Sequence, residues 1–396
     1  MCNPITYSEW RRREIVTALS RGFAACVIPM VLGAMMSLSF GCSNSSRVEQ
    51  TDAGSTDAGS TDAGSTDAGS TDAGSTDAGS VVSCDPNTQP ITLYSASDGG
   101  IVQQPVVSDG TVFIATTDTV VTVPVTGGTY GVLAQESTPH GLAVLSGLVY
   151  FAGLKIVPSM DPMLPPDSVP TFYQVPVGGG TVSAVPGIGS FVPLASDDTS
   201  LYLDEGAGSI VRWNPTSNMS VDLDMDLTLL VDDIAIAGDY LYLAAQDISQ
   251  GGFANGLIGR IPLTGGTVER LVVGIGHPFS VAADAQGIYW AEAPPALWGN
   301  ATGRLASSPL GGGGTTTLVD KDPVSVALMN GTVIFSLGTE IDAVPTNGGQ
   351  VRTIATGLTN AGMLVAQSGR VIWVDPWSQG FNSTTSPKVM SACVGP

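Results

Sequence analysis

Residues 277–293 read HPFSVAADAQGIYWAEA: a proline-led apolar stretch, a small turn at Gly287, and the apolar-aromatic run Ile288-Tyr289-Trp290. The second half of that phrase returns at six other places, as SDGTVFIAT (108–116), LSGLVYFAG (145–153), DDTSLYLDE (197–205), AGDYLYLAA (237–245), MNGTVIFSL (329–337) and QSGRVIWVD (367–375). Self-similarity with a period of about 40 to 45 residues is the signature of four-stranded units arranged around an axis, so the repeat decides the architecture before any other residue is read.

Each repeat has four parts. An apolar strand follows a proline or its equivalent, at Pro105, Pro139, Pro193, Val231, Pro278, Pro323 and Asn360, and a tight turn leads to the aromatic strand. A third strand ends in Val-Pro or Ile-Pro, as at Val123-Pro124 and Ile261-Pro262. A Gly-Gly turn and a short fourth strand complete the unit, as in TGGTYGVLA, VGGGTVSAV, TGGTVERLV and NGGQVRTIA. Short apolar strands punctuated by glycine pairs are hairpin signals, because glycine supplies the positive φ such turns demand. The predicted fold is all-β, a seven-bladed β-propeller of four-stranded antiparallel blades. The repeat at 200–218, SLYLDEGAGSIVRWNPTSN, lacks the Gly-Gly turn, and a six-bladed ring with that repeat as decoration is the alternative. The last repeat stops before its fourth strand. Ile91-Thr92-Leu93-Tyr94-Ser95 is predicted to fill the gap and close the ring, leaving no unpaired edge. That closure sets Cys393 and Cys84 on the two sides of the turn that other repeats make with Gly-Gly, so a disulfide between them is expected.

Three segments are expected: a signal peptide of lipoprotein type over 1–41, a tether over 42–80, and the propeller over 81–396. Arg11, Arg12, Arg13 and Arg21 form a basic region ahead of an apolar run from Phe23 to Phe40, after which Gly41-Cys42 gives way to Ser43-Asn44-Ser45-Ser46. The segment resembles a bacterial lipoprotein signal, which implies acylation of Cys42 and a membrane partner through the lipid; a cleaved unlipidated signal and a retained anchor stay open. From Thr51 to Ser80 the pentapeptide TDAGS repeats six times without one branched aliphatic or aromatic residue. It cannot bury enough apolar area to offset the entropy of ordering, and reads as a solvated spacer with a mean reach of roughly 30 Å. The expected location is the outer membrane or cell surface, with a periplasmic or secreted protein as the alternative.

The chain carries 35 acidic and 14 basic residues, a formal net charge of −21 at pH 7. That balance argues against nucleic-acid and anionic-membrane binding. It fits a monomer with a self-repelling surface.

In an up-and-down blade the first-to-second and third-to-fourth turns share one face, and here both are minimal. The length lies on the opposite face, in LKIVPSMDPMLPPDSVPTF (154–172), QDISQGGFANG (246–256), EAPPALWGNATG (292–303) and DPWSQGFNSTTSP (375–387). These loops carry Phe253, Trp298, Trp377 and Phe381, and long loops on a rigid scaffold are where recognition resides. His140 and His277, the only histidines in the chain, fall in crossovers on that face, with Asp247, Glu292 and Asp375 as candidate polar neighbours. No metal-ligand spacing, phosphate-cradling loop or nucleophile elbow is present, so no cofactor, metal or catalytic residue is expected. The acidic positions Asp222, Asp224, Asp226, Asp232 and Asp233 read as a solvated strand edge, with weak calcium binding left open.

The phrase at 277–293 resembles the repeats of streptogramin lyase-like and NHL-type propellers, Tyr289-Trp290 is similar to the YWTD repeat, and NGLIGRIPLTGG (255–266) is similar to the third-strand phrase of the lyase-like repeats. The likeness spans nearly all of Thr92 to Cys393, but its motifs are structural. It implies a propeller. The lyase chemistry needs histidines and a glutamate at the axis; Glu292 stands near the glutamate region, but Pro294 occupies the place where a histidine is wanted. The expected function is a non-catalytic module binding a protein, peptide or glycan through the long-loop face, with a propeller enzyme, lyase-like or carbohydrate-active, as the alternative.

Overall fold

The computed structural model describes residues 84–85, 88–96, 103, 105–158, 167–188, 191–206, 209–223, 228–250, 255–294, 302–377 and 386–395. All fall within one compact unit, Val82–Ser378 with Asn382–Pro396.

The strands follow the repeats. After β1 (Ile91–Ser95), the first four-stranded sheet is β2 (Val106–Ser108), β3 (Thr111–Ala115), β4 (Thr119–Pro124) and β5 (Gly131–Gln135). The second is β6 (Ser137–Leu145), β7 (Leu148–Val157), β8 (Asp167–Pro176) and β9 (Ser183–Ala184). The third is β10 (Val192–Ser196), β11 (Leu201–Gly206), β12 (Ser209–Asn214) and β13 (Met219–Asp222). The fourth is β14 (Leu229–Ala237), β15 (Tyr240–Asp247), β16 (Gly256–Pro262) and β17 (Glu269–Ile275). The fifth is β18 (Pro278–Ala283), β19 (Ile288–Glu292), β20 (Arg304–Ser308) and β21 (Thr316–Val319). The sixth sheet contains β22 (Ser325–Met329), β23 (Thr332–Ser336), β24 (Gly338–Pro345), β25 (Arg352–Gln367), β26 (Arg370–Asp375), β27 (Lys388–Cys393) and, at its far edge, β1. Its strand β25 serves twice: Arg352 to Ala361 pair with β24, and Gly362 to Gln367 pair with β26.

The turns have the geometry the glycines foretell. Asp109-Gly110 and Asn330-Gly331 both have positive φ at the two central positions (47° and 72°, 50° and 71°), the twist that joins antiparallel strands most directly. One backbone bond then recurs: the residue after the third strand donates its N–H to the first turn of its own sheet. It is Val125 to Gly110 at 2.9 Å, Leu263 to Asp239 at 2.9 Å, and Val394 to Gly369 at 2.9 Å. The two tight turns of each of these sheets are thereby pinned on one side.

The repeat without Gly-Gly forms a full sheet. Asn214 Oδ1 accepts from Thr216 N at 3.0 Å and Ser217 N at 2.9 Å, and Asn218 takes the positive φ (54°), so side-chain bonds do there what glycine does elsewhere.

Adjacent residues of each aromatic strand point to opposite faces, so a phrase such as Tyr150-Phe151 packs against both neighbouring sheets. Phe151 lies with Phe113, Leu133 and Val175 of the first and second sheets. Tyr150 lies with Phe172, Leu201 and Trp213 toward the third. Trp290 and Tyr289 divide in the same way between the fourth and sixth sheets. The first strands touch in a cycle from β2 to β6, β10, β14, β18, β22, β25 and back to β2. Polar latches run between sheets as well. Arg212 Nη1 donates to Leu263 O at 3.2 Å, Arg260 Nη1 to Leu310 O at 2.9 Å, and Ser391 Oγ to Val125 O at 3.3 Å.

At the chain ends β1 pairs antiparallel with β27, Ile91 opposite Ser391 and Ser95 opposite Lys388. Leu93 is buried with Val112, Ile114, Ile372 and Val389, so the strand contributes to the core between the last and first repeats. Cys84 and Cys393 form a disulfide with Cα atoms 5.4 Å apart across a sequence separation of 309. Cys84 lies beside Gly369, in the corner that the Gly-Gly turn occupies in other sheets.

Candidate binding face

Crossovers and second-to-third loops meet on the side opposite the pinned turns, and the first strands reach that side with irregular backbone. Register breaks fall between His140 and Leu142, Pro193 and Ala195, Val231 and Asp233, Pro278 and Ser280, and Gly362 and Val365. Bulges re-aim side chains, and here they turn polar groups into the seam between successive sheets. Val281 N donates to Asp233 Oδ2 at 2.9 Å, Val326 N to Ser280 Oγ at 3.2 Å, and Leu364 N to Ser325 Oγ at 3.0 Å. Asp233, Ser280 and Ser325 therefore hold one structural position in three repeats, each accepting a backbone N–H from the next repeat.

His277, between β17 and β18, lies in this seam. Its Nε2 is 2.8 Å from Asp232 Oδ2 and contacts Gln246 Nε2, and its ring is 4.2 Å from that of Phe279. The His277 and Asp232 side chains are 12% and 9% exposed. Gln246 is buried, and its Oε1 has no partner among the described residues.

Asp247 follows in β15. Its Oδ1 accepts from Ser249 N at 2.9 Å and Ser249 Oγ at 2.5 Å, and its Oδ2 lies 2.5 Å from Arg270 Nη1. The Ser249 hydroxyl, then Arg270, hold its pKa down at about 2. Glu292 is 4% exposed and accepts from Gly276 N at 3.0 Å, Trp290 Nε1 at 2.9 Å and Arg304 Nε at 3.3 Å. It fixes the crossover one residue before His277, and Ala293 N completes the brace by donating to His277 O at 2.9 Å.

The candidates thus divide. His277, Asp247 and Glu292 gather around the fourth and fifth sheets. His140 sits apart in β6, its Nδ1 2.8 Å from Thr138 O. Asp375 is apart as well: its Oδ1 accepts from Thr359 N at 3.0 Å and Asn360 N at 2.8 Å. Trp377 donates its N–H to Asn360 O at 2.6 Å and packs half-buried against the core beside β1; a Cβ on Gly362 would strike its indole at 2.6 Å. Phe253, Trp298, Phe381 and Cys42 lie outside the described residues.

The acidic stretch needs a correction. Asp222 is exposed, as a solvated edge requires, and Asp224 and Asp226 lie outside the described residues. Asp232 and Asp233 instead face the seam, because the bulge at that point breaks the alternation on which the edge reading depended. Burial of the Asp233 carboxylate pushes its pKa up to about 6, against the lowering by Val281, Ser280 and Ile234. The missed signal is the repeat itself: Pro278-Phe279-Ser280, Pro323-Val324-Ser325 and Val231-Asp232-Asp233 align. Among the described residues no group of three or more His, Cys, Asp or Glu side chains is placed to hold a metal ion.

The same face carries a recess between the first two sheets. The hairpin of β7 and β8 has 10 residues per strand, while β3 and β4 beside it have 5 and 6. The longer hairpin overhangs the shorter one, and the step leaves a cleft of about 640 Å³.

No protein-family model matches the chain, and no curated protein matches it in sequence. Solved structures do. The β-propeller domain of the Trilobed protease from Pyrococcus furiosus superposes with a TM-score of 0.52 at 11% identity, over 74% of this chain and 96% of that one. A Mycobacterium tuberculosis puromycin-hydrolyzing peptidase gives 0.51 at 10% identity, over 72% of this chain and 52% of the other. One of two prolyl endopeptidases gives 0.49 at 15% identity, over 77% of this chain and 51% of the other. The chain spans about half the length of these two peptidases. At such identities the likeness concerns the fold alone, and the fold is a β-propeller.

Proposed function

We propose that this chain is an exported lipoprotein presenting a seven-bladed β-propeller as a non-catalytic binding module for a protein, peptide or glycan. The count of seven draws support from β25, whose two halves divide the seven-stranded sheet into β22-β23-β24-β25 and β25-β26-β27-β1. The anchor rests on the basic-apolar leader ending at Cys42, and the TDAGS tether would hold the domain clear of the membrane. The observation that carries the binding reading is the inequality of the two faces: one is closed by two-residue turns, and the other bears crossovers, the overhanging hairpin and the cleft. On that face His277, Asp247 and Glu292 are engaged in holding the scaffold.

The full chain in mild detergent, probed on peptide and glycan arrays, tests the reading. Substitutions on the long-loop face should abolish capture, and substitutions in the Asp109-Gly110 and Asn330-Gly331 turns should not. Turnover of an arrayed compound that His140→Ala with His277→Ala abolishes would overturn it in favour of an enzyme.

A further inference from the structure

We propose that the cleft between the first and second sheets is a peptide subsite, taking a short segment in which an apolar residue lies between a basic side chain and a carboxylate. The inference rests on the binding reading above and names the ligand class.

The argument begins with the walls. Asp118, in the short turn after β3, and Glu136, in the crossover after β5, stand on the first-sheet side, tied by a bond from Glu136 N to Asp118 O at 3.1 Å. Thr138 N donates to Thr117 O at 3.1 Å and ties the start of β6 to the same turn. That wall is therefore a fixed piece of backbone carrying two carboxylates. On the opposite wall Lys155 projects from β7 beyond the point where β6 stops, since the last β6 partner on that side is Ser137 opposite Leu154. Lys155 forms no ion pair with a described residue. Charges of opposite sign thus face each other across a gap that neither wall bridges.

The floor is apolar, formed by Val182, Ala184 and the ring of Tyr173. Tyr173 is 6% exposed, and burial, then the nearby Glu136 charge, pushes its phenol pKa up, which places that carboxylate beside the ring. Ile156, also in the lining, is 57% exposed, and Val169, opposite Lys155 in the hairpin, is 45% exposed. The volume lies within the roughly 300–1,000 Å³ range of small-ligand sites.

Three features select a peptide. The opposed charges match a zwitterionic span with the cation at Asp118 and Glu136 and the anion at Lys155. The apolar floor between them matches a side chain. The aromatic in the lining is sunk into the core and offers no open ring face for a sugar to stack on. Recognition would proceed through side chains, because Pro170 in β8 removes a backbone donor from the hairpin and so blunts strand addition.

The test uses the full chain in detergent and a fluorescein-labelled peptide carrying arginine, leucine and glutamate in that order, flanked by glycine and serine. Fluorescence anisotropy should show binding to the native chain. Asp118→Asn with Glu136→Gln should weaken it by about tenfold or more, the loss of a charge-assisted pair. Lys155→Glu should weaken the same peptide and restore binding to one whose glutamate is replaced by arginine, a reversal that a merely structural role would not produce. Unchanged melting temperatures would show that the variants fold. Absence of binding by the native chain, equal affinity in all variants, or displacement of the peptide by a neutral chito-oligosaccharide would overturn the proposal. If an array ligand is captured and the three cleft substitutions leave it untouched, the subsite falls and the long-loop-face reading stands; if nothing is captured, both fall.

Discussion

Asp233→Ser tests whether the seam is built as described, because Ser280 and Ser325 already do with a hydroxyl what Asp233 does with a carboxylate. The carboxyl titrates near 6 in the folded chain against 3.8 for the free group. The folded state therefore binds the proton more tightly than the unfolded one, and ionisation works against folding. Well below pH 3.8 both states are protonated and no penalty exists; the penalty grows as pH rises from there to about 6, and above that it is constant. A shift of about two units corresponds to about 3 kcal/mol at neutral pH, an upper figure because solvent reaches part of the residue. Serine keeps the bond from Val281 N and loses the 2.9 Å one from Ile234 N to Asp233 Oδ1, a loss of about 1 kcal/mol. The variant should then be more stable than the parent by about 1–2 kcal/mol at pH 7 and less stable by about 0.5 kcal/mol at pH 4. Urea unfolding at both pH values, with the slope m checked for constancy, reads this directly. A stability difference that does not change with pH would refute the buried-carboxylate account.

Two further outcomes follow from the closure and the brace. Cys84→Ser with Cys393→Ser should lower stability by about 2–4 kcal/mol in urea unfolding; the chain-entropy figure for a loop this long is nearer 6, and no loss at all would mean that β1 docks without the clasp. Glu292→Ala should cost about 3–5 kcal/mol, since the Gly276 amide and Trp290 indole N–H would be buried without an acceptor, whereas Glu292→Gln keeps one acceptor oxygen and should cost about 1–3 kcal/mol. Equal effects of the two substitutions would count against that hydrogen-bond assignment.

The propeller was legible because its information is repeated: Gly-Gly and Asp-Gly turns recur in register with aromatic strands that must bury both faces. The closing strand was legible for a different reason, as the one apolar segment left over at the end opposite an incomplete repeat, with a cysteine at each side of the gap. The third repeat was harder, since Asn214 and Asn218 replace a glycine turn with side-chain bonds that composition does not advertise. The seam escaped the reading because bulges near the crossovers break the two-residue period, so Asp232 and Asp233 turn inward where alternation says one of them faces water. The cleft escaped it too. It arises from a mismatch in length between neighbouring hairpins, which no single motif encodes, and its carboxylates at Asp118 and Glu136 look in sequence like ordinary surface charges.

The account stands on β1 completing the sheet that ends in β27. Hydrogen exchange followed by mass spectrometry, comparing peptides over residues 91–95 with those over 388–393, measures that pairing. Both segments should exchange slowly and lose protection together as urea rises. Fast exchange in 91–95 beside a protected 388–393 would contradict it, and the ring would have to close some other way.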